Sequence, residues 1–114
     1  MTGEELYNLS FQLILHSGNA RSLAMEAIFA AKEKNFTVAF EKLREADQAF
    51  IQAHQFQTQL IQAEAGGEQF ELPIILVHAQ DHLMTALTVK DLAKELIELR
   101  QEINMGVSSD DKNY

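Results

Sequence analysis

His78-Ala79-Gln80-Asp81-His82 gathers two imidazoles and a carboxylate in a short run of chain, and the residues around it are almost all apolar: Ile74, Ile75, Leu76, Val77, Leu83, Met84, Ala86 and Leu87. On a helix that turns by about 100° per residue, His78, Asp81 and His82 lie within about a third of a turn and share a face. Three chemistries fit. The plainest is a set of core or interface polar groups that satisfy one another, with Asp81 paired to a cation such as Arg21. A second is a metal site: histidines four apart on one face can both ligate zinc, and His-x-x-Asp-His is one methylene short of the His-x-x-Glu-His pattern of some zinc peptidases. That reading needs a third ligand, for which only His54 and Glu64 offer themselves. The third is a phosphoryl carrier, since a neutral imidazole is a nitrogen nucleophile near neutral pH and a neighbouring acceptor can hold the proton on the nitrogen that does not attack.

The elements that must position these groups are long helices. One proline and five glycines leave little punctuation in 114 residues, and the breaks divide the chain into three helical segments, over about 4–34, 36–65 and 71–104. In the first, Leu6, Leu9, Leu13, Ala20, Ala24, Ala27 and Ala31 recur at helical spacing as one stripe. Gly18 interrupts that helix at a cost of roughly 1 kcal/mol against alanine, which points to a close backbone approach or a bend. Asn35 is placed to cap the second helix, whose inward stripe reads Ala39, Leu43, Ala46, Phe50, Ala53, Leu60 and Ile61 before Gly66-Gly67 stops it. Pro73 belongs in the first turn of the third helix, where its missing amide hydrogen costs nothing. Short connections make neighbours antiparallel, giving an all-α, up-down-up three-helix bundle over residues 1–105 and a polar, flexible tail over 106–114.

The third helix is too apolar for two partners to cover. Its second half carries one apolar face of Val89, Leu92, Ala93, Leu96, Leu99 and Ile103, read as the inward one and continuous with the face of His78, Asp81 and His82. Its first half is apolar all round. Self-association through this helix in a cyclic oligomer would hide the remainder, and a short chain with a small core gains most from such burial.

Composition removes several classes of function. A formal charge of −8 and the lack of a basic cluster disfavour nucleic acid and anionic lipid as partners. No apolar run approaches the ~20 residues of a membrane-spanning helix, and the N-terminal stretch lacks the basic start of a secretory signal. With no cysteine there is neither a disulfide nor a thiolate nucleophile. A cytoplasmic protein is expected.

Three blocks carry a more specific likeness: Gly18-Asn19-Ala20-Arg21-Ser22 with Glu26-Ala27, Ala53-His54-Gln55-Phe56-Gln57-Thr58-Gln59-Leu60-Ile61 with Glu64-Ala65, and Val77-His78-Ala79-Gln80-Asp81-His82-Leu83-Met84. Together they resemble the lactose/cellobiose-class IIA components of the phosphoenolpyruvate-dependent sugar phosphotransferase system. The resemblance spans most of the chain; Pro73, where the family often has serine or another small residue, touches only the entry to the third helix. It implies a homotrimeric nine-helix bundle and a phosphohistidine at His78. That residue would accept its phosphoryl group from the histidine phosphocarrier protein and pass it to a cysteine of the cognate IIB component, for uptake of lactose, cellobiose or a related disaccharide. It also implies that Asp81 of three subunits shares one divalent cation, Mg2+ being the usual occupant. Converging buried carboxylates need such a cation or shared protons, and oxygen donors suit magnesium. Wheel position and polarity make His82 and Gln57 the supporting groups, with Gln80 projecting elsewhere. His54 is expected to cap or pair within the bundle, and His16 to be an ordinary helix residue.

Overall fold

The computed structural model describes residues 1–112, with side chains described through residue 106. Three helices account for nearly all of it: α1 (Gly3–Lys32), α2 (Phe36–Ala65) and α3 (Ile74–Lys112). Each start has a local cause. Thr2 and Glu5 form a reciprocal capping box on α1, and the Asn35 side chain accepts from the Val38 amide at the head of α2. α3 begins at Ile74 rather than near Glu71, because a residue preceding proline is pushed out of the helical region, so Leu72 stays extended and Pro73 becomes the boundary. The Pro73 carbonyl then accepts from the amides of Leu76 and Val77.

The helix ends use one device twice. At the end of α1 the Asn35 amide donates to the Ala30 carbonyl and the Lys34 amide to that of Ala31, both at 2.9 Å, with Lys34 left-handed at φ 63°. At the end of α2 the Glu68 amide reaches Ala63 and the Gly67 amide Glu64, with Gly67 at φ 93°. Both are Schellman closures, and they stop α1 at Lys32, short of the expected Lys34. Only the second has the residue the geometry favours, since a side chain in the left-handed region costs roughly 1 kcal/mol or more. Lys34→Gly should therefore raise stability by about 0.5–1 kcal/mol and Gly67→Ala lower it by about 1 kcal/mol, read as opposite shifts of the urea midpoint at constant slope. At the far end α3 runs through Lys112, past the expected stop near Asn104, because one glycine at position 106 without a following proline does not terminate a helix. Asn113 and Tyr114, the rest of the expected flexible tail, lie outside the described residues.

Cross-helix pairs set the directions. Glu26 meets Lys42 and His16 stacks on Phe56, so α1 and α2 run antiparallel; Asp47 meets Lys90 and Gln57 meets Gln80, so α2 and α3 do as well. α1 and α3 are consequently parallel. The core between them is built largely of alanine, with Ala20, Ala24, Ala27 and Ala31 of α1 facing Ala39, Ala46, Ala49 and Ala53 of α2. Small side chains bring the helix axes close and account for the tight α1–α2 contact. Lys90 crosses the α2–α3 seam over the Phe50 ring; burial works against its charge, but Asp47 and then Asp91 outweigh it and hold the ammonium above its ordinary pKa.

Two inward stripes differ from the sequence expectation. On α2 the buried positions include Ala49, Phe50 is half-buried and Ile61 is exposed. On α3 the face turned to α1 and α2 is Leu76, Ala79, Leu83, Ala86, Ala93 and Ile97, whereas Leu92, Leu96, Leu99 and Ile103 are each 50–57% exposed. The helix is apolar on both sides, and the side with the smaller residues fits against the alanine-rich α1. The larger leucines remain outside.

Candidate functional site

The exposed side of α3 is where the polar cluster sits. His78 and Asp81 are exposed and His82 is half-buried, so none is a core polar group of the single chain, contrary to the expectation that they continue an inward stripe. Ile74, His78, Asp81, Thr85, Thr88, Leu92, Leu96, Leu99 and Ile103 follow one another at steps of three or four, the spacing of a coiled-coil seam. Asp81 therefore lies in the polar stretch of an exposed seam that is apolar at Ile74 and from Leu92 to Ile103, and no described residue covers it. It has no ion pair among the described residues, to Arg21 or to any other cation.

His78 and His82 do meet. Their Nε2 atoms are 3.1 Å apart and their rings edge to face, with centroids separated by 4.5 Å. One turn of helix sets this distance, which is within hydrogen-bonding reach. When the His82 Nε2–H donates, the His78 Nε2 keeps its lone pair and its Nδ1 carries the proton, which is the nucleophilic tautomer. Of the two rings His78 is the more exposed in the single chain.

The α1 side of the couple is an open cleft of about 440 Å³, lined by Gly18, Arg21, Ser22, Met25, Glu26 and Phe29 of α1 and by His82. Apart from Arg21, weighed as a partner for Asp81, these α1 residues are not placed at the site by the sequence. A signal was present, because Tyr7, Phe11, Leu15, Met25 and Phe29 form an exposed apolar ridge that breaks at Gly18 and Ser22, the positions beside His82. A Cβ on Gly18 would meet nothing within 4 Å, so the expected close backbone approach does not occur among the described residues, and Gly18 simply lines the cleft.

The remaining candidates lie apart. Gln57 Nε2 donates to Gln80 Oε1 at 2.8 Å; it reaches α3 at the glutamine, not at the histidines, and holds the Gln80 side chain in place. His54 stacks on Phe50 and His16 on Phe56. The zinc reading lacks its third ligand, since no group of three or more His, Cys, Asp or Glu side chains converges among the described residues. No helix among the described residues is long and apolar enough to cross a membrane.

A parallel α1–α3 pair presents a histidine couple beside an open cleft in an all-helical bundle. The PTS system lactose/cellobiose-specific IIA subunit model matches residues 8–101, and the chain belongs to that family. It is 55% identical over 100 residues to the lichenan-specific phosphotransferase enzyme IIA component of Bacillus subtilis, covering 88% of this chain and 91% of that one. The crystal structure of the cellobiose-specific enzyme IIA from Bacillus anthracis superposes with a TM-score of 0.86 at 50% identity, over 92% of this chain and 94% of that one. The IIA component in the solution structure of the IIA(chitobiose)–HPr complex of the Escherichia coli phosphotransferase system aligns with a TM-score of 0.76 at 39% identity, over 87% and 96% of the two chains. Membership makes the chain a component of a sugar phosphotransferase system.

Proposed function

We propose that His78 is the phosphoryl-carrying residue, taking the group from the phosphohistidine of the histidine phosphocarrier protein and passing it to a cysteine of the cognate IIB component. The observation that carries this reading is the exposed His78 ring held 3.1 Å from His82. In loading, the His78 nitrogen lone pair attacks phosphorus, the donor's nitrogen–phosphorus bond breaks, and the donor imidazole leaves with that electron pair. In unloading, the IIB thiolate takes the phosphoryl and His78 leaves as a neutral imidazole, so each step conserves charge and needs no oxidant or external base. His82, whose N–H meets the lone pair in the resting state, turns that donor to a phosphoryl oxygen once the lone pair is bonded. A hydrogen bond to a charged group is worth about 1.5–3 kcal/mol, so His82→Ala should still label but at a rate lowered by about 10- to 100-fold, measured by quenched-flow loading. An unchanged rate would remove His82 from the mechanism.

Three copies would associate through the exposed seam of α3 into a nine-helix bundle, placing three Asp81 carboxylates around the axis. The residues fit a hard cation there: each chain offers an exposed carboxylate with no ion pair among the described residues, and three such charges brought to one axis would repel. A bound divalent ion, Mg2+ by donor chemistry, would supply only charge neutralisation for assembly. Adding a chelator should lower the melting temperature of the wild type by several degrees and leave that of Asp81→Ala unchanged.

The IIA–HPr complex of the chitobiose relative supports the phosphocarrier protein as donor, and the family supports a IIB acceptor. The protein then works in the cytoplasm, for uptake of lactose, cellobiose or a related disaccharide, and docks its partners by apolar contacts with a polar rim around His78. Incubation with phosphoenolpyruvate, the first enzyme of the relay and its histidine phosphocarrier tests the reading. It expects one acid-labile, base-stable phosphoryl group per chain, and a chain that stays unlabelled would overturn it.

A further inference from the structure

The phosphoryl group is doubly anionic, and it must settle on a protein whose formal charge is −8. The cleft beside His82 contains one cation, Arg21, and one anion, Glu26. They are treated differently by the fold. Glu26 Oε2 lies 3.5 Å from Lys42 Nζ, and that lysine also meets Glu45 at 3.7 Å, so the carboxylate is drawn toward α2 and away from the histidines. Arg21 has no ion pair and no side-chain hydrogen bond among the described residues. Its guanidinium is therefore available, one helix away from the nitrogens that handle phosphate. Next to it Ser22 offers a hydroxyl, and Gly18, whose missing side chain leaves open space, gives room for the incoming group.

We infer that Arg21, assisted by Ser22, is the phosphoryl-binding arm of α1 that holds the oxygens of the group carried on His78. A guanidinium suits this because it forks onto two phosphoryl oxygens and never deprotonates near neutral pH. The placement follows from the parallel packing of α1 on α3, which sets Gly18, Arg21 and Ser22 level with His82, and His82 is 3.1 Å from His78. The Lys42–Glu26 contact then has a role as well: it keeps the competing carboxylate from pairing with Arg21 before phosphate arrives.

This inference rests on the phosphocarrier reading, and its test separates the two. Arg21→Gln and Arg21→Lys would be loaded alongside wild type, and each isolated phosphoprotein examined by phosphorus NMR and for its hydrolytic half-life. Arg21→Gln is expected to load about 10- to 100-fold more slowly, with a moved phosphorus resonance, an altered half-life and an unchanged melting temperature, while Arg21→Lys recovers part of the rate. A labelled wild type with Arg21→Gln loading at the same speed would overturn the Arg21 assignment and leave the carrier reading standing. Slow loading with an unaltered resonance and half-life would also overturn it, because Arg21 would then be acting on the donor protein. A wild type that takes no label would overturn both.

Discussion

His78→Ala should accept no phosphoryl group, a fall of at least ~10³-fold in loading, while its helix content and melting temperature stay close to wild type. The expectation rests on the exposure of the ring: His78 is exposed in the single chain, so its removal leaves no cavity and no unsatisfied core partner. Its loss deletes the nucleophile itself, which cannot be compensated by the remaining hydrogen bonds. His82 does not take over, because its ring is half-buried on the α1 side and is less open to a protein donor. The contrast with His82→Ala is the informative part. If the two histidines were equivalent members of a metal pair, both alanine variants would behave alike; a carrier with one supporting imidazole predicts complete loss in one and a partial rate in the other.

If three copies assemble through α3 as proposed, Leu92→Glu combined with Leu99→Glu should yield single chains at micromolar concentration, seen as a threefold drop in mass by sedimentation equilibrium. Both leucines lie on the exposed seam of α3, and each is more than half exposed in the isolated chain. Burying a leucine contributes about 1.5–3 kcal/mol. Two positions repeated in three copies remove a large part of the association energy, and the introduced carboxylates would face one another across the axis. The single chain itself has little reason to unfold, since its own contacts are made by the opposite stripe, Leu76, Ala79, Leu83, Ala86, Ala93 and Ile97. A mass unchanged by both substitutions would mean that the seam is not the assembly surface, and the axial role of Asp81 would fail with it.

Much of the fold can be read from the chain without coordinates, for identifiable reasons. The stripe from Leu6 to Ala31 is buried as its spacing demands, although Tyr7, Phe11, Leu15, Met25 and Phe29 leave a second apolar ridge exposed on the same helix. Asn35 and the Gly66-Gly67 pair are legible because their chemistry is local and needs no tertiary knowledge. α3 is different. It presents leucines on one side and a mixture of alanine, leucine and isoleucine on the other, and reading the leucine face as the inward one picks the wrong one of two apolar faces. The choice is made by α1, whose alanine face packs on Ala86, Ala93 and Ile97 while its Leu6, Leu9 and Leu13 pack on Leu76, Ala79 and Leu83.

The site follows the same pattern. His78 and His82 come together because a single helix turn guarantees it. Gln57 pairs with Gln80 because α2 and α3 are antiparallel and put those positions level, a fact of packing that neither residue announces. The contribution of Arg21, Ser22 and Gly18 depends on α1 and α3 being parallel. The broken apolar ridge on α1 marks the place in the sequence, but it gains a meaning only when His82 is seen opposite the gap.

The central claim is that one imidazole forms and releases a nitrogen–phosphorus bond. Nitrogen-15 and phosphorus NMR of the loaded, uniformly labelled protein, followed by addition of the cognate IIB component, measures both halves directly. A carrier at His78 gives a phosphorus-coupled ring nitrogen assigned to that residue alone, which disappears as a phosphocysteine signal rises on the partner. A coupling assigned to His82, His54 or His16, or one at His78 that persists when IIB is added, would contradict it.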